Sequence, residues 1–175
     1  MASTEVEYAA RWWQWALSIP VAKNPVVDET GEHAAEGQPA DVWFLAGTFG
    51  GKVSRTCAVP HGRPLFFPAF NMLRPVRRTG LFTTDKRVPV IPTASGHADL
   101  NGVPLPVLEV TNATPFKIHA AAASPFDYSG TFKATAWGLW CTLDNLPRGN
   151  YVLTLGGEFE PGGFWVEATY DLEIV

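Results

Sequence analysis

The chain predicts an all-β fold, an antiparallel β-sandwich of jelly-roll type with one N-terminal helix packed on it, a closed β-barrel being the alternative. Three observations carry that prediction. Residues 41–71, DVWFLAGTFGGKVSRTCAVPHGRPLFFPAFN, hold three strand-like runs separated by Gly50-Gly51 and Pro60-His61-Gly62, with no helical spacing between them. Residues 164–175 alternate strictly, Phe164, Val166, Ala168, Tyr170, Leu172 and Ile174 against Trp165, Glu167, Thr169, Asp171 and Glu173, the period of a half-buried strand. Between these stretches, short apolar runs recur with Gly, Pro and Asn turns, and helical spacing is confined to the N-terminus.

Taken in order, Thr4 and Glu7 have the spacing of a capping box, and Glu7, Arg11, Gln14 and Ser18 then line one narrow polar stripe, which predicts a helix over residues 5–18 ended by Pro20. The remaining faces carry Val6, Tyr8, Trp12, Trp13, Trp15, Leu17 and Ile19, an arc too wide for a helix half in water. Such a helix either plugs the β core or walls a cavity. Residues 21–40, with Asn24-Pro25, Gly31, Gly37 and Pro39, read as a surface connection. Strands are expected at 42–49, 53–59 and 65–70, the first two forming a hairpin through Gly50-Gly51. Residues 72–106 hold eight Pro or Gly residues and read as a long excursion over one end of the core, with only 88–91 strand-like. Strand signals return at 107–111, 117–121, 131–137, 139–143, 151–155 and 164–175, joined by hairpin loops at 145–150 and 156–163.

One domain spanning residues 1–175 is expected, because 46% hydrophobic residues supply a sizeable core and no repeat or low-complexity tract divides the chain. A formal charge of −4 argues against a nucleic-acid partner. No apolar run reaches the length of a membrane span, so no membrane partner is expected. Acidic Glu5 and Glu7 stand where an export signal needs positive charge, which points to a cytoplasmic chain. Oligomeric state is open.

NPVVDETGEHAAEGQ (residues 24–38), VWFLAGTFGG (42–51), VPHGRPLFFPAFN (59–71) and, more loosely, LTLGG (153–157) with the final strand are similar to a group of bacterial, mostly secreted proteins with no assigned activity. The resemblance leaves residues 72–123 uncovered. It implies a cysteine near position 34 paired with Cys57; alanine occupies position 34 here. Cys57 and Cys141 both lie in apolar runs and read as free, buried thiols.

The chemistry-bearing residues are few. His33, His61, His97 and His119 show no spacing that sets two ligands on one face, so no metal site is expected, and residues 28–32, DETGE, read as a solvated acidic turn rather than a calcium loop. No nucleophile elbow or phosphate loop occurs, and GTFGG is assigned to the hairpin. The basic cluster Arg74, Arg77, Arg78, Lys86 and Arg87 reads first as a solvated loop and second as an anion site. Arg55 in VSRTCAV faces inward if Val53 and Cys57 do, and would then need a carboxylate or ligand; the opposite register exposes it. Asn71 serves a turn or a ligand, and His119 could titrate near neutrality.

Abundant aromatics with isolated polar groups suit a concave apolar site. The first expectation is therefore a cofactor-independent enzyme of isomerase, cyclase or lyase type, with His119, Asp28 and Glu158 as proton carriers and Gln38, Arg55, Asn71, Trp13 and Trp137 binding a partly apolar small molecule, and with no cofactor. The alternative is a non-catalytic ligand- or carbohydrate-binding sandwich that stacks sugars on Trp165 or Trp140.

Overall fold

The computed structural model describes residues 3–160 and 162–175, which form three layers. The outer layer is helix α1 (Thr4–Ser18). The middle sheet has the order β1-β3-β9-β8, built from Trp43–Phe44, Leu65–Pro75, Gly130–Leu143 and Leu108–Ala120. The far sheet has the order β2-β11-β10-β6-β7, built from Gly51–Val59, Phe164–Ile174, Gly149–Phe159, Ala94–Leu100 and Val103–Pro104. Two short strands, β4 (Arg77–Arg78) and β5 (Thr84–Asp85), make a separate hairpin. The chain is thus an all-β sandwich with one N-terminal helix. Most pairings are antiparallel, while β1 with β3 and β2 with β11 run parallel.

Residues buried on both faces of the middle sheet explain the layering. Phe66 packs toward α1 with Phe44, Ile118, Ala136 and Trp140, whereas Leu65, Phe67 and Cys141 pack toward Leu153, Leu155, Ala168, Tyr170 and Leu172 of the far sheet. A strand buried on both sides reads as a continuous apolar run, as LFFPAF does. The far sheet has one wet face, so β11 keeps its alternation, with Val166, Ala168, Tyr170, Leu172 and Ile174 buried.

The helix begins one residue before the expected capping box. Ser3 is its N-cap, with its hydroxyl 3.5 Å from the Val6 N–H, and Thr4 is already helical. Trp12, Trp13 and Trp15 are all buried, and their rings meet edge to face, Trp12 with Trp13 at 5.1 Å and with Trp140 at 5.6 Å. Along the polar stripe, Arg11 holds Asp41 through both Nη atoms and Gln14 donates to the Lys117 carbonyl.

Several expectations about the strands are corrected. Gly50-Gly51 does not close a hairpin: β1 and β2 lie in different sheets, and the two glycines, at φ 140° and 72°, carry the chain from one layer to the other. Residues 72–106 are not one loose excursion, since they contain the end of β3, the β4–β5 hairpin, β6 and β7, while 88–91 is not a strand. The separate runs at 107–111 and 117–121 fuse into β8 across an irregularity between Asn112 and Phe116, and 131–143 is one strand, β9, through Gly138. Of the hairpin loop expected at 156–163, residues 156–159 are instead the end of β10, paired with both β11 and β6, and Pro161 lies outside the described residues.

Cys57 and Cys141 are free and buried, and burial pushes their thiols up to about 11 and about 12. Ala34 and Cys57 belong to the same buried cluster. Among the described residues no helix is long and apolar enough to cross a membrane.

Candidate functional site

The site arises where the pairing of β1 with β3 stops. Trp43 N–H donates to the Pro64 carbonyl and Leu45 N–H to that of Phe66; the next bond of the ladder would need an N–H at position 68 for the Leu45 carbonyl, which Pro68 lacks and Trp12 Nε1 replaces, and no bond from Gly47 N–H to the Pro68 carbonyl follows. β3 itself runs on through Pro68, which still pairs with Trp140 of β9, and a bulge between Pro68 and Phe70 adds one residue to it. The bulge swaps the faces. Before it, Phe66 packs toward α1; beyond it Leu73 does, while Phe70 and Met72 pack with Trp137 and Val166.

The splayed edge leaves a cavity of about 230 Å³. Trp12 and Trp13 of α1, residues 68–73 of β3, and Gly47, Thr48 and Phe49 of the segment after β1 line it. Phe126, Tyr128, Phe164 and Val166 complete it. Thr48, Asn71, Tyr128 and Trp13 are the lining residues with polar side-chain atoms, together with the Trp12 indole already bonded to Leu45; the remaining lining side chains are apolar. Trp13 Nε1 and Asn71 Nδ2 are buried without a hydrogen-bond partner, as is the neighbouring Trp140 Nε1. Gly138, which pairs with Asn71, could not carry a side chain: a Cβ there would lie 2.6 Å from Trp140 Nε1. Two of the lining residues, Trp13 and Asn71, therefore each carry a buried donor with no acceptor among the described residues.

Behind the Gly47 side stands Arg55. It faces inward, is 2% exposed, and donates to the carbonyls of Asp28, Ala46, Gly47 and Val26 and to the Tyr170 hydroxyl at 2.7 to 3.1 Å. The expected carboxylate partner is replaced by neutral oxygens. A planar guanidinium with five N–H groups can tie several backbone carbonyls at once, which a carboxylate partner would have prevented. Burial pushes the Tyr170 phenol up, against the opposing pull of Arg55, so that partner is a neutral hydroxyl.

The other candidates are placed as follows. Asn71 and Trp13 line the cavity. Asp28 organises its own turn: its carboxylate accepts from the N–H groups of Thr30, Gly31 and His33 and from the Thr30 hydroxyl. Gln38 braces the start of β1, donating to the Ala34 and Phe44 carbonyls and accepting from Phe44 N–H. His119 is exposed on β8, its Nδ1 2.8 Å from Thr131 Oγ1. Glu158 is exposed on β10 and pairs with Trp165 across the strands. None of His119, Asp28 and Glu158 lines the cavity. Trp137 is buried with Phe70 and donates to Glu109 at 2.6 Å. Of the two tryptophans expected as sugar platforms, Trp140 is 1% exposed and stacks on Phe66, while Trp165 is 48% exposed. In the basic cluster, Arg74 and Arg87 both bind Asp85, and those contacts, that of Arg87 first, hold its carboxyl far below the ordinary range. Among the described residues no three His, Cys, Asp or Glu side chains converge as a metal site.

Thr48, Phe49, Phe126, Tyr128 and Phe164 were not anticipated. The signal for Phe126 and Tyr128 was two aromatics inside a Ser, Pro and Gly loop, where nothing in a β pattern calls for them. No protein-family model, curated protein or solved structure matches this chain.

The Asp28 turn has its own acid signature. Burial alone would raise the carboxyl, but the donated bonds from Thr30, His33 and Gly31 outweigh it and hold the group below its ordinary value. A carboxyl depressed in the folded state contributes stability that is present above its unfolded value and lost as pH falls through the folded one. Stability is therefore expected to fall below about pH 4. Asp28→Asn should cost on the order of 1 kcal/mol at pH 7 and lose less on acidification. Urea unfolding at pH 7 and pH 3 checks both; an equal acid loss in the two proteins would contradict the role given to Asp28.

Proposed function

We propose that this protein is a non-catalytic binder of a small, largely apolar molecule, held in the cavity between α1, the Gly47–Phe49 segment and the bulged part of β3. The observation that supports this reading is the lining: aromatic and aliphatic walls, unpaired Trp13 and Asn71 nitrogens, and Tyr128 as its one titratable side chain among the described residues. General acid–base turnover needs a group near the working pH within reach of the substrate. Among the described residues the lining supplies no carboxylate, imidazole, amine or thiol, so binding is favoured over isomerase, cyclase or lyase chemistry. At about 230 Å³ the space exceeds the ~150 Å³ apolar cavity that takes up benzene, and it suits a ring with a short chain.

Naphthalene and butylbenzene are expected to bind with Kd on the order of 10–1,000 µM, the range open to ligands of about ten heavy atoms. Intrinsic fluorescence should report this, because Trp12 and Trp13 line the cavity. A Cβ on Gly47 would meet no atom within 4 Å, so Gly47→Leu can be accommodated at the mouth. That variant should keep its melting temperature and lose binding at least tenfold. Equal binding by Gly47→Leu, or no saturable binding by the wild type, would reject the proposal.

A further inference from the structure

We infer that the polar end of the ligand is an oxyanion, a carboxylate or a group of the same chemistry; this rests on the binding role proposed for the cavity and specifies its ligand. The argument starts at Arg55. The Ala46 and Gly47 carbonyls both accept from its Nη1 atom, at 3.0 and 2.9 Å. The peptide unit is planar and trans, so a carbonyl turned onto Arg55 turns the following N–H the opposite way. Two successive N–H groups, those of Gly47 and Thr48, are thus directed away from Arg55. Gly47 and Thr48 are cavity residues. For Gly47 this is also the side of Pro68, where the pairing of β1 with β3 has lapsed. Neither N–H has an acceptor among the described residues. Successive backbone N–H groups on one side make an anion-binding concavity.

The surrounding charge has the same sense. Arg55 is buried, and every hydrogen-bond partner it has is a neutral oxygen; the nearby acid, Asp28, offers its backbone carbonyl and spends its carboxylate on its own turn. The two peptides that separate Arg55 from the cavity are polarised by that cation, with their positive N–H ends outward. Two lining residues, Trp13 and Asn71, carry further buried nitrogens, Trp13 Nε1 and Asn71 Nδ2, with no acceptor among the described residues, which a small side-chain rotation would bring to a ligand. Among the described residues no acidic side chain lines the cavity to repel an anion. A ligand amine would meet the repulsion of Arg55 without a counter-charge, and a hydrocarbon would leave the donors unsatisfied.

The test compares 4-phenylbutanoate, 4-phenylbutanamide, 4-phenylbutylamine and butylbenzene at pH 7 by tryptophan fluorescence and calorimetry. The carboxylate is expected to bind at least tenfold more tightly than the amide, with the amine weakest. Asn71→Asp places a like charge in the cavity lining with almost no change of shape, and should lower carboxylate affinity at least tenfold while butylbenzene affinity stays within about twofold. Trp13→Phe keeps an aromatic but smaller ring and removes one donor, and should reduce the preference for carboxylate over amide, a ratio in which the lost volume cancels, severalfold. Melting curves establish that both variants are folded, and the two serve as independent readings. If butylbenzene binds and the carboxylate binds no more tightly than the amide, the oxyanion assignment fails while the cavity remains a binding site. A carboxylate preference untouched by Asn71→Asp and by Trp13→Phe places the anion elsewhere and overturns the inference. Failure of all four compounds to bind rejects the binding role itself.

Discussion

Arg55→Leu is expected to lower the stability of the protein by roughly 4–6 kcal/mol, because it strands a whole set of buried acceptors. The carbonyls of Val26, Asp28 and Gly47 are left without a donor, while the Ala46 carbonyl and the Tyr170 hydroxyl each lose one donor and keep the hydrogen bonds between Tyr170 and Ala46. Each buried polar group left unpaired costs about 1–3 kcal/mol, partly relieved by relaxation. Against a total stability of about 5–15 kcal/mol, the loss brings the chain close to unfolding, and a Tm drop of about 10–20 °C follows for a protein of this length. Arg55→Lys keeps the charge, but an ammonium carries three donors on one atom and cannot span acceptors from four residues and a side chain. It should therefore fall between Leu and wild type. Urea unfolding followed by circular dichroism measures the series, and a loss below about 1 kcal/mol for Arg55→Leu would show that the carbonyls are satisfied in another way.

Trp12→Ala is expected to cost about 3–5 kcal/mol, and deletion of residues 4–18 should prevent folding altogether. Trp12 is 2% exposed, meets Trp13, Trp15 and Trp140 edge to face, and donates its indole N–H to the Leu45 carbonyl at 2.9 Å. Its removal combines a large void with one orphaned carbonyl. The helix as a whole covers Phe44, Phe66, Ile118 and Trp140, so deleting it exposes the outer face of the middle sheet to water. Trp165→Ala is the matched comparison: the same change at a ring that is 48% exposed on the far sheet should stay within about 0.5 kcal/mol. Thermal melts of the two variants side by side decide it. A truncated protein that melts cooperatively at the wild-type temperature would mean that the helix is an ornament rather than a layer of the core.

Both expectations show where local pattern sufficed and where it did not. The Trp-rich helix was legible because its apolar arc was too wide for a helix half in water, and burial of all three tryptophans follows from that width. The inward face of Arg55 was one of two registers allowed by period-two alternation, and packing of β2 beside β11 selected it. Its partners were not legible, because four of the five are backbone carbonyls, which every residue possesses and no sequence pattern marks.

The candidate site divides in the same way. Asn71 and Trp13 stood out as polar or large residues in an apolar context, and they do line the cavity. Asp28 and Gln38 stood out equally, yet their hydrogen bonds are taken by neighbouring backbone, at Thr30, Gly31 and His33 for one and at Ala34 and Phe44 for the other. A polar residue in a turn gives the same signal whether it serves the turn or a ligand. Thr48, Phe126 and Tyr128 reach the cavity from segments far apart in the chain, and only their convergence gives them a role.

By itself, then, the sequence determined the class of the fold, the position and wide burial of the helix, and the alternating faces of the last strand, all of which depend on periodicities within a few residues. Only the tertiary structure decided that β1 and β2 part into different sheets at Gly50-Gly51, that β2 runs parallel to the distant β11, and that a bulge after Pro68 opens a cavity beside β3. These features rest on pairings between residues up to a hundred or more positions apart, such as Arg55 with Tyr170, whose energies come from neighbours that local spacing does not name.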